Sequence, residues 1–196
     1  KSKMVIIIEW LDIILKKGEF MSYCIVVRDD IDSHLIEKNI KEKVSLEYNN
    51  ENPDIVVAIG GDGTIIKDYP DEKWREIKEP EFLEGSIEGL KRLKEMGYDF
   101  IIITNQYLIN DGIISLNDYQ QFTGKFLKKL KEENIDILKI YFCPHNEKDH
   151  CHCKKPKPGM IEQAKKGFLI DMNNSLYIGD SQVDYLLAKH FNLTFY

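Results

Sequence analysis

The chain has 196 residues, 43% of them hydrophobic, with 9 Phe, 10 Tyr and 2 Trp. That excludes a disordered or low-complexity polypeptide and suffices to bury a core without disulfides. With 27 Lys and Arg against 33 Asp and Glu, the net charge of −6 disfavours a general nucleic-acid binder, and no apolar run approaches a membrane span of ~18–20 residues.

Lys1 and Lys3 ahead of Met4-Val5-Ile6-Ile7-Ile8 open like a signal peptide, but Glu9 and Asp12 break the apolar run and no small-residue cleavage site follows, so a cytoplasmic protein is expected. The opening Lys suggests a trimmed chain or a fragment, with Met4 and Met21 as candidate starts. Val5–Ile8 is a short strand or a helix start, Tyr23–Val27 a strand, and Asp32-Ser33 caps a helix to about Val44. The polar, strand-breaking stretch Glu47–Asp54 marks a seam, dividing an amino-terminal α/β segment, 1–53, from a main domain, 54–196.

Ile55–Ile59 is a buried strand by its β-branched content, and it ends in Gly60-Gly61-Asp62-Gly63-Thr64. Lys67–Pro80, polar and with two prolines, is expected as a surface loop over the sheet. Leu83, Ile87, Leu90, Leu93 and Met96 recur at helical spacing, with Gly97 as the stop. Phe100–Ile103 is the next strand, closing in Thr104-Asn105-Gln106, and Leu116 to Leu130 marks a long amphipathic helix. Ile137–Phe142 is a strand leading into a cysteine cluster. Pro158–Gly167 is a helix with Pro158 near its first turn, Leu176–Ile178 a strand ending in Gly179-Asp180, Val183–His190 a helix, and Leu193–Tyr196 the start of a last strand. The alternation predicts a three-layer α/β fold on a mostly parallel sheet, whose ligands sit beyond the carboxyl ends of the strands. Gly-Asp-Gly-Thr, Thr-Asn-Gln and Gly-Asp all fall at such ends.

Cys143-Pro144-His145 and Cys151-His152-Cys153 supply three thiolates and an imidazole, a full tetrahedral set for a structural zinc in a reducing compartment. His150 and His152 are spare imidazoles that would replace His145, although the Cys-Pro-His turn favours His145. Lys154-Lys155-Pro156-Lys157-Pro158 follows at once, either a solvated charge run or lysines held for phosphate. A hydroxyl and amides at Thr104-Asn105-Gln106 suit phosphate oxygens. Asp180 and Asp184, four apart at a strand end and helix start, are either hard oxygen ligands for Mg²⁺ or helix caps.

Taken in order, Asp62-Gly63-Thr64, Thr104-Asn105-Gln106, the two cysteine motifs, Lys155-Pro156, Pro158-Gly159-Met160 and Gly179-Asp180 resemble a haloacid dehalogenase-type phosphatase. The branch is that of histidinol-phosphate and D-glycero-D-manno-heptose 1,7-bisphosphate phosphatases, and the likeness spans residues ~62–196. The resemblance implies that Thr104, Asn105 and Lys154 bind phosphate and that Lys155 neutralises it. It also implies that Asp62 and Asp180 hold Mg²⁺, with Asp62 as the acid/base that protonates the leaving oxygen and then activates water. Cys143, His145, Cys151 and Cys153 would hold structural Zn²⁺. The family's nucleophilic Asp stands two residues before the acid/base, where this chain has Gly60, so the nucleophile and one Mg²⁺ ligand are missing. Tyr107–Gly112 also lacks the arginine usual after Thr-Asn-Gln, and Lys154 stands where arginine is usual.

Residues ~21–66 resemble something else: Gly60-Gly61-Asp62-Gly63-Thr64 is similar to the corresponding segment of NAD kinases, and Tyr23–Arg28 suits their first strand. The likeness stops near Ile66. The chain thus reads as a junction at Asp-Gly-Thr, which both families use after a strand. The expected function is a phosphomonoesterase acting on a small sugar or amino-alcohol phosphate, impaired by Gly60. The alternatives are an NAD kinase-like nucleotide-binding module or a catalytically silent, zinc-stabilised binding domain. The expected partner is a small phosphorylated metabolite, with neither nucleic acid nor membrane; the oligomeric state is not legible.

Overall fold

The structure, a computed structural model, describes the backbone at Ile13, Ile14, Phe20 and Met21, and residues 56–196. The strands expected at Val5–Ile8 and Tyr23–Val27 and the helix expected after Asp32 lie outside the described residues. The chain divides into two compact units, residues 1–53 with Tyr196, and residues 54–195. In the first, β1 (Ile13–Ile14) and β2 (Phe20–Met21) pair antiparallel.

The second unit runs β3 (Val56–Ile59), α1 (Ser86–Glu95), β4 (Asp99–Asn105), α2 (Leu116–Glu132), β5 (Ile137–Cys143), α3 (Gly159–Gly167), β6 (Leu176–Ile178), α4 (Gln182–His190) and β7 (Thr194–Phe195). Its five strands lie in the order β5-β4-β3-β6-β7, all parallel. This is the three-layer α/β architecture that the strand–helix alternation predicts.

Side chains alternate across the sheet, so successive residues of one strand feed two cores. Val56 and Ala58 pack with Met160, Ile161 and Ala164 of α3 and with Leu187 and Ala188 of α4. Val57 and Ile59 pack on the other face with Leu90 of α1 and Phe126 and Leu130 of α2. Each fully buried aliphatic such as Leu130 or Leu187 contributes about 1.5–3 kcal/mol.

The helix boundaries have local causes. Ser115 and Asp118 form a reciprocal capping box at the start of α2. Gly97, at φ 88°, ends α1 as its place after the apolar stripe predicts.

Residues 67–80 are mostly exposed, as expected of a surface loop, but they are anchored on α2. Trp74 is buried, with its ring 5.6 Å edge-on from both Tyr69 and Phe122 of α2. Lys125 and Lys129 of α2 donate to the carbonyls of Lys78 and Pro80. The segment therefore packs on a helix through one aromatic anchor, which its polar composition hides.

The chain visits β3, β4 and β5 on one side and returns to β6 and β7 on the other, which makes the carboxyl ends around β3 a topological switch point. Asp62, Thr104 and Asp180 stand at the ends of the adjacent strands β3, β4 and β6. Among the described residues no helix is long and apolar enough to cross a membrane.

Candidate active site

The loop after β3 is built by close approach. Gly60 N–H donates to the Ile178 carbonyl at 2.7 Å, extending the β3–β6 ladder past the strand end. A Cβ on Gly61 would lie 2.6 Å from Thr104 Oγ1, and one on Gly63, at φ 85°, would collide with the Asp180 carboxylate. These contacts seat the acid loop against β4 and against the β6–α4 turn. At Gly60 a Cβ would lie 2.7 Å from Thr64 Oγ1 and 3.6 Å from Asp184 Oδ1. Thr64 Oγ1 itself donates to Asp180 Oδ1 at 3.2 Å.

Asp62, half-buried, accepts from Gln106 Nε2 at 2.9 Å, and the same amide donates to Thr104 Oγ1 at 3.0 Å. Gln106 is held in turn by its backbone N–H, which donates to the Cys143 carbonyl at 2.7 Å. Burial pushes the Asp62 carboxyl up to about 6, against the Gln106 hydrogen bond, which lowers it; Asp68 and Asp180 add to the rise and Lys155 opposes it. Asp180 is also raised, first by burial and then by Asp184, with Thr64 and Lys155 pulling the other way. An acid near neutrality beside a second raised carboxylate suits proton transfer at neutral pH.

Lys155 is buried, and its ammonium donates to Asp184 Oδ1 at 2.6 Å and to the Ile103 carbonyl at 2.9 Å. Asp184 also accepts from Tyr177 Oη at 2.7 Å and from Ser181 Oγ. Ser181, not an aspartate, caps α4. Of the two carboxylates four apart, Asp184 is therefore committed to Lys155 and Tyr177 and is not an open metal ligand, whereas Asp180 remains at the acid loop.

Asn105 clamps the Lys155 backbone: its Oδ1 accepts from Lys155 N–H at 2.9 Å and its Nδ2 donates to the Lys155 carbonyl at 3.3 Å. The amide expected on phosphate thus fixes the lysine. Lys154, also expected beside phosphate, pairs with Glu147 at 2.7 Å and lies 5.2 Å over the Tyr107 ring.

The cysteine motifs do converge. Ligand atoms of Cys143, His145, Cys151 and Cys153 all lie within 4.8 Å of one another. Cys143 Sγ is 3.5 Å from His145 Nδ1, 3.6 Å from Cys151 Sγ and 3.0 Å from Cys153 Sγ, and His145 Nδ1 is 3.3 Å from Cys153 Sγ. Ligands ~2.0–2.3 Å from a tetrahedral zinc stand at about such mutual spacings, so the donor set fits the ion. His152 faces Glu162 at 2.9 Å, which leaves His145 as the imidazole of the quartet. A Cβ on Gly159 would meet the His152 carbonyl oxygen at 2.6 Å, so α3 starts directly against this loop.

A cavity of about 420 Å³ opens beside Asp62, Thr104 and Gln106 and runs between the sheet, α2 and residues 74–78. Gly60, Lys155 and Asp180 do not line it. Sequence reasoning singled out Thr104-Asn105-Gln106 but not the bridging role of Gln106, which depends on a contact across 44 residues. It also missed Tyr177, whose hydroxyl is hidden inside an apolar strand pattern.

The family described as Polynucleotide kinase 3 phosphatase matches residues 55–193. A D-glycero-alpha-D-manno-heptose-1,7-bisphosphate 7-phosphatase from Photorhabdus laumondii is 40% identical over 137 residues, covering 66% of this chain and 73% of that protein. A probable D-glycero-D-manno-heptose-1,7-bisphosphate 7-phosphatase from Thermoplasma acidophilum is 33% identical over 156 residues, covering 79% of this chain and 96% of that one. The crystal structure of D,D-heptose 1,7-bisphosphate phosphatase from B. bronchiseptica, complexed with magnesium and phosphate, superposes with a TM-score of 0.65 at 23% identity, over 72% of this chain and 78% of that chain. That last likeness carries the fold. The family match begins at 55, and residues 22–55 of the NAD kinase-like stretch lie outside the described residues. Its described end, Val56–Ile66, is the central strand and acid loop of the sheet.

Proposed function

The chain belongs to the haloacid dehalogenase-type phosphatase family described as Polynucleotide kinase 3 phosphatase, and on that premise we propose that residues 54–196 are a phosphomonoesterase domain for a small phosphorylated sugar or amino alcohol. The heptose bisphosphate phosphatases among its relatives support the sugar class. The observation that carries the proposal is the convergence of Asp62, Thr104 and Asp180 on adjacent strand ends, with the Lys155 ammonium buried behind them.

Phosphate is held by the Thr104 hydroxyl and neutralised by Lys155. Asn105 acts through the Lys155 backbone that it grips. Asp62 is placed for proton transfer: with a carboxylate supplied at position 60 to attack phosphorus, it would protonate the departing oxygen and then take a proton from the water that hydrolyses the aspartyl-phosphate. Gln106 aims that carboxylate by bridging it to Thr104. Two raised carboxylates on facing loops are a donor set for a hard cation, and Asp62 and Asp180 would hold Mg²⁺. The ion, when bound, supplies positive charge that offsets the phosphate. Cys143, His145, Cys151 and Cys153 would hold a structural Zn²⁺ that pins the loop from β5 to Lys155.

Gly60 offers no side chain for attack, so no aspartyl-phosphate forms there and turnover by the native chain is poor. The domain binds phosphate monoesters better than it hydrolyses them. Inorganic phosphate with Mg²⁺ should raise the melting temperature. Lys155→Ala should abolish that rise, and an unchanged rise contradicts the assignment.

A further inference from the structure

Two carboxylates on different strand ends bind a cation well only if their separation is fixed beforehand, because a side chain free to rotate loses that freedom on binding. Each of the two has a side-chain donor from a neighbouring loop. Gln106, after β4, donates to Asp62 at 2.9 Å. Thr64, in the loop after β3, donates to Asp180 Oδ1 at 3.2 Å. Thr64 lies two residues after Asp62, so this bond ties the Asp180 carboxylate to the loop that carries Asp62.

The Thr64 hydroxyl is held in its direction. The side chain is buried, and the turn beneath it is closed by the Thr64 N–H on the Gly61 carbonyl at 3.3 Å and the Gly63 N–H on the Ile66 carbonyl at 2.7 Å. A β-branched side chain on a fixed backbone has few rotamers. The second carboxylate oxygen, Oδ2, passes over Gly63, where a Cβ would lie 2.2 Å from it. Residues 63 and 64 together therefore set the place of Asp180.

Position 60 completes the arrangement. A Cβ there would lie 2.7 Å from the same Thr64 Oγ1, so the hydroxyl stands where the first atom of any side chain at 60 would have to go. The Thr64–Asp180 bond and a side chain at 60 exclude each other in this geometry.

Resting on the reading of Asp62 and Asp180 as Mg²⁺ ligands, we propose that Thr64 is a positioning residue for the cation, its hydroxyl fixing Asp180 in the space that glycine at 60 leaves open. The chain thereby keeps a two-carboxylate cation site without a carboxylate at 60.

Metal binding, not turnover, is the readout. Mn²⁺, which like Mg²⁺ prefers oxygen ligands, serves as the probe, its free form counted by electron paramagnetic resonance. The protein as purified should bind about one equivalent, and Asp180→Asn should remove that binding. Thr64→Val keeps the shape and loses the hydroxyl, and should weaken Mn²⁺ about tenfold or more; Thr64→Ser should stay within about threefold of the native chain. Gly60→Ala displaces the same hydroxyl from the other side and should also cost about tenfold. The double variant Gly60→Ala with Thr64→Val should bind no worse than the weaker single, because both changes break one bond. Thermal melts confirm that each variant is folded, and Gly60→Ala carries the test if Thr64→Val is not. Unchanged affinity in a folded Thr64→Val or Gly60→Ala variant, a serine loss as large as that of valine, or additive losses in the double variant overturns the role of Thr64 while leaving the cation site standing. No Mn²⁺ bound by the native chain, or binding that survives Asp180→Asn, overturns the cation site itself, and this proposal with it.

Discussion

Asp184→Asn tests how the site holds its lysine. Lys155 Nζ and Asp184 Oδ1 lie 2.6 Å apart, with side chains 6% and 2% exposed. Asparagine keeps the size and one acceptor oxygen but removes the charge, leaving a buried ammonium with the Ile103 carbonyl as its remaining firm partner. Breaking a buried ion pair from one side costs about 3–5 kcal/mol, because the surviving charge stays desolvated. Lys155→Met should cost somewhat less, since Tyr177 and Ser181 still donate to Asp184. The double variant removes both charges, so its loss should fall short of the sum of the singles by about 1–3 kcal/mol. Urea unfolding with an unchanged denaturant slope measures all three. Additive single losses, or a loss under about 1 kcal/mol for Asp184→Asn, would refute the argument that this pair is a coupled, desolvated unit.

Tyr177→Phe leaves Asp184 without one buried donor and should cost about 1–3 kcal/mol in the same assay; no loss would mean that the hydroxyl does not matter to the network. Carefully purified protein should carry about one equivalent of zinc, and Cys151→Ser should lower both zinc content and melting temperature, since metal binding is linked to folding. Less than half an equivalent counts against the zinc site. In chelator-treated protein, Asp62 holds its proton in the folded state from its ordinary 3.8 up to about 6, so its contribution to stability falls as pH rises through that window. Asp62→Asn should therefore flatten that part of the pH–stability curve and raise stability at pH 7 by about 1–3 kcal/mol; an unaltered curve shows that burial does not perturb this carboxyl.

The sheet was legible because β-branched runs such as Val56–Ile59 and Phe100–Ile103 are short, apolar and closed by polar punctuation, while helices such as α2 carry both a stripe and a cap. The cysteine quartet was legible because ligand type and spacing survive without any knowledge of packing. What the sequence hid depends on long-range contacts. Asp184 looks like a cap or a ligand until Lys155 and Tyr177 are folded onto it. Asn105 reads as a phosphate ligand, and nothing in the sequence says that its amide also grips the Lys155 backbone 50 residues away. Lys154 and Lys155 are neighbours of the same type, and only the fold sends one inward and the other to Glu147. Trp74 sits in so polar a stretch that no periodicity flags its burial.

Gly60 decides whether this account of the site is right. Gly60→Asp places a carboxylate two residues before Asp62, and its Cβ meets Thr64 Oγ1 at 2.7 Å, so Thr64 must rotate and release Asp180. The direct measurement is Mg²⁺-dependent release of phosphate from a generic phosphate ester by the native chain, by Gly60→Asp and by Gly60→Asp with Asp62→Asn. The native chain should give a trace, the single variant a clear gain, and the double variant a loss of that gain on the order of 10²-fold or more. Strong hydrolysis by the native chain that is lost on Asp62→Asn, or a folded Gly60→Asp variant with no gain, would contradict the claim that this is a phosphatase site lacking only its nucleophile.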